Sequence, residues 1–421
     1  MQKLFIFLVV FCYIYPVFLK FLPIPTDRVI QLIGVAVFVC DSGFWKRMLK
    51  HSYVVALLLG SSFFSVFVYL VQGWNEGIID LYFFKINISV FFYFFSAYLI
   101  VYLLNKKYKS LAFIKLFDYL VYVGLFQCII SIVFFVKPAI FDMFSALIHN
   151  DANQNMLERI GLIEKRMIGI GSAFFTGVVK YGVTLFILIC LYFTKGSRFY
   201  KNTLFFLVSS ILFVFVGILT GRTFFVAIIL GAFLYAYIDM KAFLRLIKYL
   251  PIIVLMLMLL YFILSFFINR DRLDNIVFFI TEIFDNYQKT GKLSTTSSDA
   301  TLEMYKFPEN IKTWLFGDGK MLLNDGSYYM STDVGYSRLI FYFGVPLTIL
   351  YFVLQGYYLK LVSRLLSKEY YIVFNKLIKV IFLWLVLLNF KGLVHFYDYI
   401  VLLFMITLNN FIYERSNKIN Q

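Results

Sequence analysis

Apolar runs long enough to cross a bilayer as helices recur along nearly the whole chain, separated by short polar connectors. A hydrocarbon core takes roughly 20 consecutive apolar residues in helical form. Only helices satisfy their own amides where no water reaches, closed barrels aside. The pattern predicts spans at 4–21, 24–40, 53–71, 81–104, 111–136 and 168–193. It continues with 203–219, 223–238, 249–268, 336–359, 377–389 and 393–413. The expected fold class is an all-α polytopic integral membrane protein of about 12 transmembrane helices. Three regions follow: 1–268 with the first nine spans, a large polar loop at roughly 269–336, and 337–421 with the last three spans and a tail.

Inside the large loop the period changes. Ile276, Phe279, Ile280, Ile283 and Tyr287 recur at helical spacing, with Asp274, Glu282 and Asp285 largely elsewhere, which predicts an amphipathic helix lying on the membrane surface. A Ser/Thr-rich stretch follows at 289–300, and Gly317, Gly319 and Gly326 punctuate a turn-rich stretch before the tenth span. A shorter polar connector, 137–167, carries His149, Asp151, Glu158, Arg159, Glu164, Lys165 and Arg166.

Composition sharpens the class: 62% of residues are hydrophobic and 15% charged, against about half and a quarter in soluble domains. The net charge of +16 is not a nucleic-acid footprint, because Lys and Arg gather in alternate connectors. Lys106, Lys107 and Lys109 form one cluster, Lys195, Arg198 and Lys201 another, and Lys241, Arg245 and Lys248 a third. By the positive-inside rule these face the cytoplasm, which puts both termini there and the large loop outside. Cys12, Cys40, Cys128 and Cys190 all fall in apolar spans, so no disulfide framework holds the loop, and they read as packing residues.

Arginine on the outer face brings no topological benefit, and its burial near lipid costs a few kcal/mol. Arg166, Arg222 in the turn Thr220-Gly221-Arg222-Thr223, Arg338, Arg270 and Arg272 are therefore the informative residues, with Lys180 farther into a helix. A polyanion gripped by guanidinium forks would give them a shared reason; headgroup snorkelling accounts better for Arg270 and Arg272. Asp333, at the entry of the tenth span, reads equally as a general base or as a helix N-cap. Asp299 and Glu303 lie four apart, on one face of any helix there. Three scattered histidines give no zinc spacing, and no Asp-x-Asp occurs in either external loop, so neither metal nor cofactor is expected. Lys391, His395 and Asp398 sit at i, i+4 and i+7 and read as an internal lock on the twelfth helix. Gly169-Ile170-Gly171 reads as a site of close helix packing.

The chain resembles the O-antigen and capsule repeat-unit polymerases (Wzy type) of the bacterial polysaccharide polymerase and ligase superfamily. The residues that carry the resemblance are Arg166 through Gly177 with Lys180, the 220–223 turn, Phe316-Gly317-Asp318-Gly319, and Ser331 through Arg338 followed by Phe341-Tyr342-Phe343-Gly344. Arg166, ten residues and Gly177 fit the family's Arg-x10-Gly pattern, without an equally clean second copy in the large loop. Sister ligases are expected to carry a histidine motif in that loop, which here has no histidine. The resemblance implies metal-independent glycosyl transfer at the periplasmic face of the inner membrane. Undecaprenyl-diphosphate-linked glycans would be donor and acceptor, and a chain-length regulator protein a partner. Arg166 and Arg222 would hold diphosphate with Lys180 and Arg338 as further binding groups, Asp333 would serve as base or acceptor anchor, and Tyr336 would support it. An O-antigen ligase and a flippase of lipid-linked oligosaccharide are the alternatives, the latter kept open by Lys115, Asp118, Lys180 and Lys391.

Overall fold

The computed structural model describes residues 1–41, 51–76, 80–148, 166–172, 174–292, 294–323 and 326–419, with residues 43, 46 and 49. His149, Asp151, Glu158, Arg159, Glu164, Lys165 and Asp325 lie outside the described residues, as do Arg47 and Lys50. Among the described residues the chain is all-α, with isolated β-bridges and no strand.

The helices in order are α1 (Gln2–Ile14), α2 (Thr26–Cys40), α3 (Ser52–Glu76), α4 (Tyr82–Tyr108), α5 (Ala112–Val136) and α6 (Pro138–Ser145). Next come α7 (Phe174–Phe193), α8 (Thr203–Thr220), α9 (Phe224–Ile238), α10 (Met240–Ile247), α11 (Leu250–Ser265) and α12 (Arg270–Thr290). The last are α13 (Thr296–Glu303), α14 (Ile311–Phe316), α15 (Gly335–Leu365), α16 (Lys368–Leu388) and α17 (Tyr397–Ile419). Among the described residues, six helical segments are long and apolar enough to cross a membrane: 52–71, 82–136, 174–193, 203–220, 335–365 and 368–388. The second runs for 55 residues, roughly 80 Å at 1.5 Å per residue and far more than one bilayer. A 3-10 turn at Lys109–Leu111 divides it into α4 and α5.

Helix ends differ from the hydropathy reading where backbone chemistry intervenes. The first span was expected to reach 21, but α1 stops at Ile14, because Tyr15 (φ −122°, ψ 69°) precedes Pro16, whose ring disfavours helical geometry in the residue before it. The sixth span begins at Phe174 rather than 168. The twelfth begins at Tyr397 rather than 393, so Lys391 and His395 are not on a helix and the expected polar stripe does not exist. The eleventh span is longer than expected, since α16 opens nine residues upstream in polar sequence at Lys368. Side-chain caps fix several other starts: Asn202 accepts from Phe205 N, Asp239 from Ala242 N and Asn310 from Thr313 N, and Thr295 with Ser298 forms a capping box.

The chain forms two compact units. The first comprises Met1–Leu32, Leu103–Leu293 and Glu369–Val380; the second comprises Ile33–Tyr102, Ser294–Lys368 and Ile381–Gln421. The large polar segment is therefore divided, α12 belonging to the first unit and α13 and α14 to the second. In the first unit Phe113 stacks on Tyr370 at 4.5 Å and Phe117 meets Phe374 at 4.5 Å. In the second, Phe83 packs against Phe343 at 4.4 Å and Tyr342 at 4.7 Å. Two pairs of polar groups buried there satisfy each other: Tyr397 donates to Asn87 Oδ1 at 2.8 Å, and Ser61 and Tyr358 share a hydrogen bond of 2.8 Å.

Candidate functional site

In the first unit, Arg166 and Arg222 meet over one ring. The Arg222 guanidinium carbon lies 4.1 Å from the Phe279 centroid, and that of Arg166 lies 5.5 Å from the same centroid and 5.6 Å from Phe174. Arg222 also donates from Nε to the Phe279 carbonyl at 2.9 Å and forms an ion pair with Glu282. Phe279 and Glu282 are i and i+3 on α12, hence on one face, and both are buried. Arg166 has no carboxylate partner among the described residues. Burial, and then the neighbouring Arg222, push its pKa below the usual guanidinium value. Among the described residues, two guanidiniums against one carboxylate make a half-buried excess of one positive charge, which favours an anion.

Local packing explains why these side chains converge. Arg166 opens a segment held by Met167 N donating to Leu219 O at 3.0 Å, beside the turn that carries Arg222. Gly171 has φ +58°, and a Cβ there would lie 2.4 Å from the Pro16 carbonyl, so only glycine lets this backbone press on the end of α1. A Cβ on Gly169 would lie 2.2 Å from Gln127 Nε2, whose amide donates to Ile170 O at 2.7 Å. Neither glycine lies on a helix, so the close helix packing expected of them takes another form: Gly171 admits a neighbouring backbone and Gly169 the Gln127 and Ser131 side chains. Lys180 turns to other partners: its ammonium lies 5.0 Å from the Tyr15 ring and donates to Gly171 O at 3.4 Å.

The apolar face of α12 differs from the expected one. Leu273, Ile276, Phe279 and Glu282 are buried, whereas Ile280, Ile283 and Tyr287 are exposed. Sequence reasoning placed Glu282 off the buried stripe and did not select Phe279 as a site residue. The available signal was an acid three residues after an aromatic, able to answer an otherwise unpaired external arginine.

The other expected site residues lie in the second unit. Arg338 is 8% exposed, its guanidinium carbon 4.2 Å from the Tyr328 centroid, and its Nε has no hydrogen-bond partner among the described residues. A buried donor left unmade is costly, so an occupant that accepts from it would gain correspondingly. Asp333 does not cap α15: the N-cap is Val334, with no side-chain cap bond. The Asp333 carboxylate makes no hydrogen bond or ion pair among the described residues and is partly exposed. Tyr336 does not support it, since the Tyr336 hydroxyl donates to Val386 O at 2.9 Å and its ring packs on Phe390 at 4.7 Å.

Two short motifs prove to be one structural joint. Asp318 N donates to Phe341 O at 2.5 Å and Gly319 N to Tyr342 O at 3.2 Å. Gly317 (φ +70°) and Gly344 (φ +71°) press backbone on backbone, a Cβ on Gly317 falling 2.4 Å from Tyr342 O and one on Gly344 falling 2.5 Å from the Leu315 carbonyl. The Asp318 carboxylate accepts from Thr313 Oγ1 at 2.6 Å and from the Tyr329 hydroxyl at 3.1 Å, which makes it a brace of this joint. Lys391 binds Ser297 O at 3.2 Å and the Thr301 hydroxyl, so it ties α13 down rather than pairing along a helix. In the first unit Lys115 and the buried Asp118 pair with each other at 2.7 Å.

No family model, no curated protein and no solved structure matches the chain. Fold and site define a class on their own: an all-α chain with several helices long and apolar enough to span a membrane, carrying two half-buried arginines on one aromatic ring.

Proposed function

We propose that the chain is a membrane glycosyltransferase that polymerises lipid-linked oligosaccharide repeat units into O-antigen or capsular polysaccharide, on the pattern of the Wzy-type polymerases it resembles. The observation that carries this reading is the Arg166–Phe279–Arg222 cluster with its surplus positive charge. A carrier-lipid diphosphate is a polyanion that a metal-free enzyme must neutralise with protein cations, and guanidinium forks match its oxygens. In this reading the twelve-span topology holds, both termini are cytoplasmic, residues 269–336 face the periplasm, and the membrane is the bacterial inner membrane.

The acceptor's terminal hydroxyl attacks the anomeric carbon of the donor glycan. A carbon–oxygen bond forms there, the bond to the diphosphate oxygen breaks, and the hydroxyl proton passes to a general base. Charge builds on the departing undecaprenyl diphosphate, and Arg166, which lacks a carboxylate partner among the described residues, is the cation with most to give it. Arg222, paired with Glu282, serves chiefly to hold geometry. Lys180, in the same unit as the arginine pair, is a further anion-binding group.

The test is a gel of surface polysaccharide from cells that express Arg166→Ala or Arg222→Ala at the parental level. Loss of long chains with a single repeat unit left on the acceptor supports polymerisation. Full-length polymer held on carrier lipid would point to a ligase, absence of external intermediates to a flippase, and an unchanged chain-length distribution in both variants would remove the diphosphate role.

A further inference from the structure

Where α7 ends, α8 begins and α9 gives way to α10, the first unit has a partly open cavity of about 430 Å³. That size falls within the roughly 300–1,000 Å³ typical of small-molecule sites. Three rings form its wall: Tyr192 lies 4.7 Å from Phe206 and 6.0 Å from Tyr235, and Phe206 lies 5.8 Å from Tyr235. The Tyr192 hydroxyl and Thr203 Oγ1 share a hydrogen bond of 3.2 Å. Lys201 and Arg245 stand at the rim, and neither has an ion-pair partner among the described residues. The acid beside them, Asp239, accepts from Ala242 N as the cap of α10. Lys201 holds a left-handed backbone (φ 50°), uncommon for a non-glycine residue, with its N–H bonded to Tyr192 O at 3.0 Å.

The same corner carries a surface feature of lipid-facing helices. On α10, Met240, Leu244 and Ile247 recur at i, i+4 and i+7 and are 57%, 56% and 49% exposed. An outward apolar stripe on a short helix flanked by Lys241, Arg245 and Lys248 suits the boundary between headgroups and acyl chains. Basic pockets between helix ends at that depth select anionic headgroups.

We propose that this cavity is a binding site for an anionic phospholipid, with the phosphate between Lys201 and Arg245 and an acyl chain along Tyr192, Phe206 and Tyr235. The site is separate from the arginine cluster and does not depend on the polymerase reading. The bound lipid would occupy the space between the connector 194–202 and α10.

The experiment is native mass spectrometry of the purified, delipidated full chain titrated with phosphatidylglycerol or phosphatidylcholine. The expected result is one retained phosphatidylglycerol, weak retention of phosphatidylcholine, and about ten-fold or greater loss of phosphatidylglycerol occupancy in Lys201→Gln/Arg245→Gln. A matched variant, Lys195→Gln/Lys241→Gln, removes two charges from the same connectors and should keep occupancy within about two-fold. Both variants are compared as monodisperse protein by size exclusion, so that misfolding is visible. Equal loss in the two variants, or no preference for phosphatidylglycerol, would overturn the site. Inorganic phosphate bound at millimolar concentration as well as the lipid would overturn the lipid assignment in favour of a free anion.

Discussion

Arg222→Met is the perturbation that most directly probes the cluster's construction. The pair it breaks is unequal: the Arg222 side chain is 19% exposed and that of Glu282 is 4% exposed. Methionine removes the guanidinium and takes from a nearly fully buried carboxylate the ion pair that Arg222 supplies, at a cost of up to about 3 kcal/mol. Glu282→Gln is gentler, because the neutral amide keeps an acceptor for the guanidinium, which also retains the Phe279 carbonyl and ring; about 1–2 kcal/mol is expected. In the double variant the Glu282 charge is gone together with that of Arg222, so most of the Arg222→Met loss should return, a coupling of about 2 kcal/mol or more. The sign with pH follows. In Arg222→Met the folded state gains by protonating Glu282, so it binds more protons than the unfolded chain, and stability falls as pH rises. The deficit against wild type should therefore shrink between pH 7 and about pH 5. Thermal unfolding in detergent, followed by intrinsic fluorescence at both pH values, reads all three variants. Additive losses with no pH dependence would mean that Arg222 and Glu282 do not depend on each other, and would refute the reasoning.

Other expectations are narrower. Gly317→Ala and Gly344→Ala should each destabilise by about 2 kcal/mol or more, read as reduced melting temperature and yield, since each adds both a positive-φ penalty and a backbone clash. Lys391→Met should loosen α13, seen as faster hydrogen exchange of the 297–303 amides with little change in α12. In a cysteine-free background, Asp299→Cys, on the exposed side of α13, should react with a membrane-impermeant maleimide in intact cells whose outer membrane is permeabilised; protection would reverse the sidedness assigned from charge.

Hydropathy made the helical membrane class legible, because bilayer chemistry leaves little alternative for such runs, and α3, α5, α8 and α9 start and stop within a few residues of their expected limits. Ends set by single-residue stereochemistry were less legible. Pro16 shortens α1 through Tyr15, and the non-helical stretch 391–396 delays α17, neither of which an apolar average registers. The pairing of Arg166 with Arg222 was anticipated as a shared purpose, but its agent, Phe279 with Glu282, was not. Amphipathic periodicity assigns acids to solvent, and burial of Glu282 is a tertiary fact created by Arg222. The short glycine motifs were visible as motifs, whereas their mutual contact, at a separation of some 25 residues, required the fold.

That contact has a practical corollary. Because peptide groups touch directly at Gly317 and Gly344, and Tyr329 bonds back to Asp318 from within the excursion between them, the ends of that excursion are held together. Gly326, at φ +81° with open space where a side chain would project, is the natural point at which to splice an epitope or a fluorophore sequence. A reporter inserted there would ride on an anchored stem, at a spot where the surrounding helices need not be redesigned to receive it.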